Sequence, residues 1–293
     1  MKRGKYRHCE PMDIFDNISP EELDRVIQLS KVKSRSAKRG FQQERDIVDI
    51  FNNYQNDPNA LKWISTIFGD GISTVKSVHL SVNGGLKGYK DIIGSIDEET
   101  KNHKKADLFV CGFFSDQTRE VSNISVKSSS GHRNHLDRRK LSFYQNLWGF
   151  SEEILLYLRL FTGEALYHGH TSLLDIVDLK DDRRVFMYEF KEEYRDEILS
   201  FFDSNKKIII RDVVQGRGKF KADWIMVVRW DRDPISFHLV EIEEALDILC
   251  QGGTKLTKMG NIQMGKVYIK RKGGTGGATN LQFQFNPFVL LGN

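Results

Sequence analysis

At 293 residues, 39% hydrophobic and 29% charged, the chain is long enough for one large domain or two small ones and too apolar to be disordered. No apolar run nears the roughly 18 residues that a bilayer span needs. No apolar stretch follows Met1-Lys2-Arg3-Gly4-Lys5-Tyr6-Arg7, as a secretory leader requires, and Cys9, Cys111 and Cys250 are too scattered for a disulfide framework or a Cys-x-x-Cys zinc site. A soluble cytoplasmic protein is expected.

The net charge of +4 conceals an uneven distribution. After Asp247 there is no acidic residue, while Lys255, Lys258, Lys266, Lys270, Arg271 and Lys272 follow. A second basic cluster runs from Lys31 to Arg39, and a third comprises Arg133, Arg138, Arg139 and Lys140. Clustered cations attract polyanions because each one beside a phosphate releases condensed counterions.

In chain order, Ser19-Pro20-Glu21-Glu22 predicts a helix start, with a Ser cap, Pro in the first turn and acids at the positive end. Helices are predicted from Gly40 to Tyr54 and from Asp57-Pro58 to Gly69. Strands follow at Thr74 to Val82, Asp107 to Cys111 and Val121 to Lys127. Helical stretches come next near His135 to Trp148, Ser151 to Phe161 and Tyr188 to Asp203. The last third turns to strands: Lys207 to Arg211, Asp223 to Trp230, Ser236 to Val240, Lys266 to Arg271 and Asn280 to Phe285, interrupted by a helix at Glu243 to Leu249. Helices and sheet segments mixed in this way predict an α/β fold. The chain is read as one domain, 1–293, with a catalytic core at about 36–150 and a strand-rich part at about 205–293 that is expected to recognise DNA.

Three positions carry chemistry. In the helix around Glu44, the apolar residues Phe41, Ile47, Val48 and Phe51 form one stripe, and Glu44 falls in its middle. A carboxylate there is costly unless it meets a cation or a metal. Asp107 stands at the lip of the apolar run Leu108-Phe109-Val110-Cys111. In Asn123-Ile124-Ser125-Val126-Lys127, alternation sends Ile124 and Val126 to the core and puts Ser125 and Lys127 together on the other face. If the two strands pair, Asp107 meets Ser125 and Lys127. Such a group suits phosphodiester hydrolysis, with carboxylates for Mg²⁺ and a Lys to position or deprotonate water.

On these residues the sequence resembles the PD-(D/E)XK nuclease superfamily, in particular type II restriction endonucleases. Asp107 matches the first acid, preceded by Ala106 in place of Pro. Lys127 matches the Lys, and Glu44 matches the helix Glu that many members carry. The resemblance spans Glu44 to Lys127. It implies a restriction-endonuclease-like central mixed β-sheet flanked by helices, Mg²⁺ dependence, site-specific cleavage of double-stranded DNA, a homodimer and a cognate DNA methyltransferase as functional partner. It assigns Asp107, Lys127, Glu44 and Ser125 to catalysis, and Asp107 and Glu44 to the metal. Ser125 departs from the pattern, since a second acid is usual there; Asp137, Glu152 and Glu153 are possible substitutes. A rival constellation, Asp223 with Glu241 and Glu243, repeats the spacing from Asp107 to Ser125.

The last segment suggests DNA contacts. Val267 to Lys272 ends in Lys270, Arg271 and Lys272. Beyond the Gly-rich 273–277 run, Asn280, Gln282, Gln284 and Asn286 alternate with Leu281, Phe283 and Phe285. Amides pair with adenine edges, and Lys or Arg with guanine or phosphate. Arg133, after the Ser128-Ser129-Ser130 run, is placed at phosphates beside the cut. A non-catalytic DNA-binding protein on a decayed nuclease fold and a DNA-repair nuclease stand as alternatives.

Overall fold

The computed structural model describes residues 35–80, 103–116, 118–129, 132–175, 184–229, 235–271 and 279–292, the side chains of 35–39 and 41 excepted. The helix expected at Ser19, the side chains of the basic cluster from Lys31 to Arg39, Lys272 and the 273–277 loop lie outside this description.

Two helices lead into the first sheet. Helix α1 (Arg35–Asn52) turns Ile47 and Phe51 fully inward and leaves Asp46 and Asp49 exposed, as its stripe requires. Helix α2 (Pro58–Phe68) is opened by Asp57, whose Oδ1 accepts the Asn59 and Ala60 amides at 2.8 and 3.1 Å, and is ended by Gly69. Strands β1 (Ile72–His79), β2 (Leu108–Phe114) and β3 (Arg119–Ser129) form an antiparallel meander. Strand β5 (Trp224–Arg229) then joins β3 in parallel, and β6 (Ser236–Glu241) closes the edge antiparallel to it, in the order β1-β2-β3-β5-β6. Leu108, Val110, Ile124, Val126, Met226 and Val228 pack one face of this mixed sheet on α1 and α2.

The opposite face carries Ile225 and Val227 into a larger core shared with helices α3 (Leu141–Trp148), α4 (Glu152–Thr162), α5 (Glu192–Ser204), α6 (Lys206–Val214) and α7 (Ile242–Cys250). A second, antiparallel sheet closes that core. Its order is β4 (Asn134–Arg139), β10 (Leu281–Phe285), β9 (Val267–Arg271), β8 (Ile262–Met264), β7 (Thr254–Leu256). Leu281, Phe283, Phe285, Ile269, Val267, Ile262 and Met264 are all fully buried on its inner face.

The mixed α/β architecture is therefore the expected one, with two local corrections. Residues 134–139, expected to be helical, form β4. Residues 206–214, expected at 207–211 as a strand, form α6. There the Ile208-Ile209-Ile210 run raised β propensity, but burial of Ile209, Ile210, Val213 and Val214 with Ile208 left exposed is the period of a helix. Strands β7 and β8, each of three residues, were too short to give an alternation signal. Among the described residues no helix is long and apolar enough to cross a membrane.

Candidate active site

Asp107 precedes β2 and is fixed by the sheet on both sides. Its amide donates to the Ile124 carbonyl at 2.9 Å and its carbonyl accepts from Leu80 at 2.7 Å. Its Oδ2 accepts the Val126 amide at 2.7 Å and the Ser125 hydroxyl at 3.2 Å. Lys127 extends from the same face of β3. Its Nζ donates to Ser125 Oγ at 2.7 Å and to the Val126 carbonyl at 3.2 Å, and lies 3.6 Å from Asp107 Oδ2. Ile124 and Val126 point the other way, into the helix-side core. The Asp107, Ser125 and Lys127 cluster thus forms as alternation and pairing predict. Ser125 is fully buried, whereas the Asp107 and Lys127 side chains keep 22% and 15% exposure, enough for a substrate to reach them.

Glu44 comes from the helix side. Its Oε2 lies 2.5 Å from Nε2 of His79, at the end of β1. His79 faces α1 because it alternates with Val75 and Ser77; Val75 packs in the α1 core and Ser77 bonds to Asn52 through its amide. Lys104, whose Nζ donates to the Leu80 carbonyl at 2.6 Å, lies in the field of both Asp107 and Glu44. Its burial lowers its pKa, and these two carboxylates oppose that shift. Among the described residues no group of three His, Cys, Asp or Glu is gathered closely enough to form a metal cage. Asp107 and Glu44 each bear hard carboxylate oxygens, the donor type that Mg²⁺ takes, usually as one or two carboxylates plus substrate phosphate and water.

The outer face of the second sheet is basic and polar. Gln282 pairs across the strands with Arg138 and Lys270, and Gln284 with His135 and Tyr268. Directly opposed residues share a face, so these six stand together. Gln282 is 6% exposed and its amide contacts the His135 imidazole, to which Gln284 Nε2 comes within 3.3 Å. Arg133 stacks on the Tyr268 ring, 3.4 Å from its centre. Arg271 turns to the other side, over Phe186 at 3.8 Å. Asn280 is half-buried before β10. Asn286 caps the last turn, accepting the Phe288 amide at 3.1 Å. The expectation that Gln282 and Asn286 both line a wet amide face is thereby corrected: the first is buried with its amide against His135 and a cap occupies the second.

The substitute acids are committed elsewhere. Asp137 is held by Lys105 at 3.2 Å and by Arg139 at 3.3 Å. Glu152 accepts from Gln145 at 2.9 Å, and Glu153 lies exposed in the first turn of α4. In the rival constellation the Asp223 and Glu243 carboxylates have separate partners. Asp223 Oδ2 accepts the Asn123 amide at 2.9 Å, while Glu243 makes a two-toothed ion pair with Arg211 at 2.6 and 2.7 Å. Sequence reasoning passed over His79, Lys104 and Lys105. For His79 a signal existed: it closes the Val75, Ser77, His79 alternation facing the helix that carries Glu44.

A solved structure with the same architecture is "restriction endonuclease MspI in complex with its cognate DNA". It has a TM-score of 0.55 and 17% identity over 84% of this chain and 88% of that one. The mixed sheet, flanking helices and second sheet are therefore a restriction-endonuclease fold. A sequence profile of the R.HinP1I restriction endonuclease family matches residues 89–291. The chain belongs to that family. Comparison with curated proteins returned no match.

Proposed function

We propose that the protein is a type II site-specific endonuclease that hydrolyses phosphodiester bonds of double-stranded DNA with Mg²⁺. The observation that carries this reading is the Asp107, Ser125 and Lys127 cluster on adjacent strands of a restriction-endonuclease fold. Asp107 and Glu44 would hold the ion, which when bound supplies Lewis acidity at the scissile phosphate. Asp107 is kept rigid by the Val126 amide and the Ser125 hydroxyl. Lys127, anchored by Ser125 in the position usual for a second acid, offers an ammonium to the attacking water and to charge developing on the phosphate, where preorganised donors act most strongly. Ser125 thus positions the lysine and contributes no metal ligand.

In this reading the core at about 36–150 carries the chemistry, and the part at about 205–293 recognises DNA while lending β5 and β6 to the central sheet. Arg133, Lys270, Lys272, Asn280 and Gln284 are its contacts to DNA, in a cytoplasmic homodimer with a cognate methyltransferase as functional partner, whereas buried Gln282 supports His135 from behind and Arg271 packs on Phe186. The test is incubation with unmethylated phage DNA and Mg²⁺, followed by gel electrophoresis. Discrete bands that vanish in excess EDTA are expected. A smear would mean a non-specific nuclease, and intact DNA would favour a binding protein. Full cleavage in EDTA would remove the metal from the mechanism.

A further inference from the structure

The lip that carries Asp107 is tied to the second sheet by a buried ion pair. Strand β4 has a bulge at Leu136: Asp137 pairs with Phe283 and His135 with Gln284, leaving Leu136 without an opposite number. A bulge leaves its extra residue out of the ladder, and Lys105 takes up what it frees. Lys105 Nζ donates to the Leu136 carbonyl at 3.1 Å and sits 3.2 Å from Asp137 Oδ2, with the two side chains 11% and 12% exposed. Asp137 shares its face with Phe283, inside. Arg138, the next residue, shares its face with Gln282, outside. At the other end, the Lys105 and Ala106 amides both donate to the Phe220 carbonyl at 3.2 Å, and Asp107 follows. One short path therefore runs from an outward cation of the second sheet, through Asp137 and Lys105, to the carboxylate at the candidate active site.

Stability alone does not account for this arrangement. A buried pair loses in desolvation much of what it gains, and apolar residues of similar volume hold two elements together at least as well. What the pair and its carbonyl bond add is a single geometry between β4 and the Asp107 lip. We propose that Lys105 and Asp137 are positioning residues that set Asp107 in register with the second sheet, so that DNA seated correctly on the outer face of that sheet finds the carboxylate in its cutting position. This inference rests on the nuclease reading above. A displacement of about an ångström at a reacting group costs on the order of 10²-fold in rate, so a loosened register should appear in cleavage and not in binding.

Cuts mapped on phage DNA define a duplex oligonucleotide carrying the site, and a second one with a single base pair changed. Lys105→Met, Asp137→Leu, the double variant and Lys105→Arg are compared with wild type. Each is assayed below its own melting temperature, for affinity in Ca²⁺ and for single-turnover cleavage in Mg²⁺. The single substitutions leave a buried charge and are expected to melt early. The double variant removes both charges and is expected to melt near wild type. It should bind the site with wild-type affinity, cut it on the order of 10²-fold more slowly, and discriminate less between the two duplexes; Lys105→Arg should restore part of the rate. A double variant that cuts and discriminates as wild type does overturns the proposal and leaves the nuclease reading intact. So does one that loses affinity and rate in proportion, since that reveals scaffolding only. Wild-type protein that leaves phage DNA whole overturns the nuclease reading and this inference with it.

Discussion

Lys127 and Asp107 sit 3.6 Å apart, but they should fail differently when removed. In the proposed mechanism Lys127 would act on charge that exists only in the transition state, and would raise rate and not affinity. Lys127→Ala should slow cleavage by at least about 10²–10³-fold while gel shifts in Ca²⁺ stay at wild-type affinity. Asp107→Ala should be as inactive, yet bind DNA at least as tightly without metal, because a negative charge near the phosphate is gone. Glu243→Ala, which only frees Arg211, should still cut; a dead Glu243→Ala beside an active Lys127→Ala would move the site to the C-terminal half. The cluster of Asp107, Ser125 and Lys127 was legible in the sequence because strand alternation fixes a face two residues at a time. Glu44 was legible as a charge in an apolar stripe, but its contact with His79 needed the pairing of distant segments. His135 adds a pH handle. Burial, then Arg138 and Lys270, lowers its pKa from 6.5. As pH falls through 6.5 the unfolded chain takes up the proton first, so stability should drop there. His135→Gln should flatten that part of the curve of melting temperature against pH.

Elements were predicted well where a local signal closed them and poorly where tertiary packing chose. Helix α2 has its Asp57 cap, Pro58 and Gly69 in sequence, and its ends came out as expected. Asp57→Ala should cost about 1 kcal/mol of stability, read by denaturant unfolding, with cleavage unaffected. Strand β4 had no such closure. Its helical reading failed because the register with β10 and a bulge, both set by residues far along the chain, decided it. The lip that carries Asp107 depends on a similarly distant partner. Gly216 has φ +78°, and a Cβ there would lie 2.1 Å from the His103 carbonyl oxygen and 2.7 Å from Lys105 Cγ. Gly216→Ala pays for the left-handed backbone, roughly 1–2 kcal/mol, and also pushes on that lip. Melting temperature and cleavage rate should fall together, and normal cleavage after a large loss of stability would mean that the lip tolerates displacement.

At the scale of the molecule, a modest net charge of +4 still leaves cations gathered where the second sheet faces outward. Arg138, Lys270 and Arg133 gather around His135, Gln282 and Gln284. Lys270 has its pKa lowered by burial first and by the nearby Arg133 second. Two cations held together in this way repel in the free protein and are relieved by a polyanion, which is how a surface built for DNA differs from a merely soluble one. The stack of Arg133 on Tyr268 separates charge from shape. It occupies the face of the guanidinium and leaves its edge donors free to point outward. Removing a cation and removing its platform should therefore have different signatures. Arg133→Ala and Lys270→Ala should each weaken binding and flatten the plot of log affinity against log salt by about 0.9 for every phosphate no longer neutralised. Tyr268→Ala keeps every charge, so it should weaken binding by loosening Arg133 while leaving the salt slope almost unchanged. Affinities from gel shifts in Ca²⁺ at several salt concentrations distinguish the cases. An unchanged slope in Arg133→Ala and Lys270→Ala would mean that DNA docks elsewhere, because counterion release follows phosphate neutralisation whatever the sequence bound.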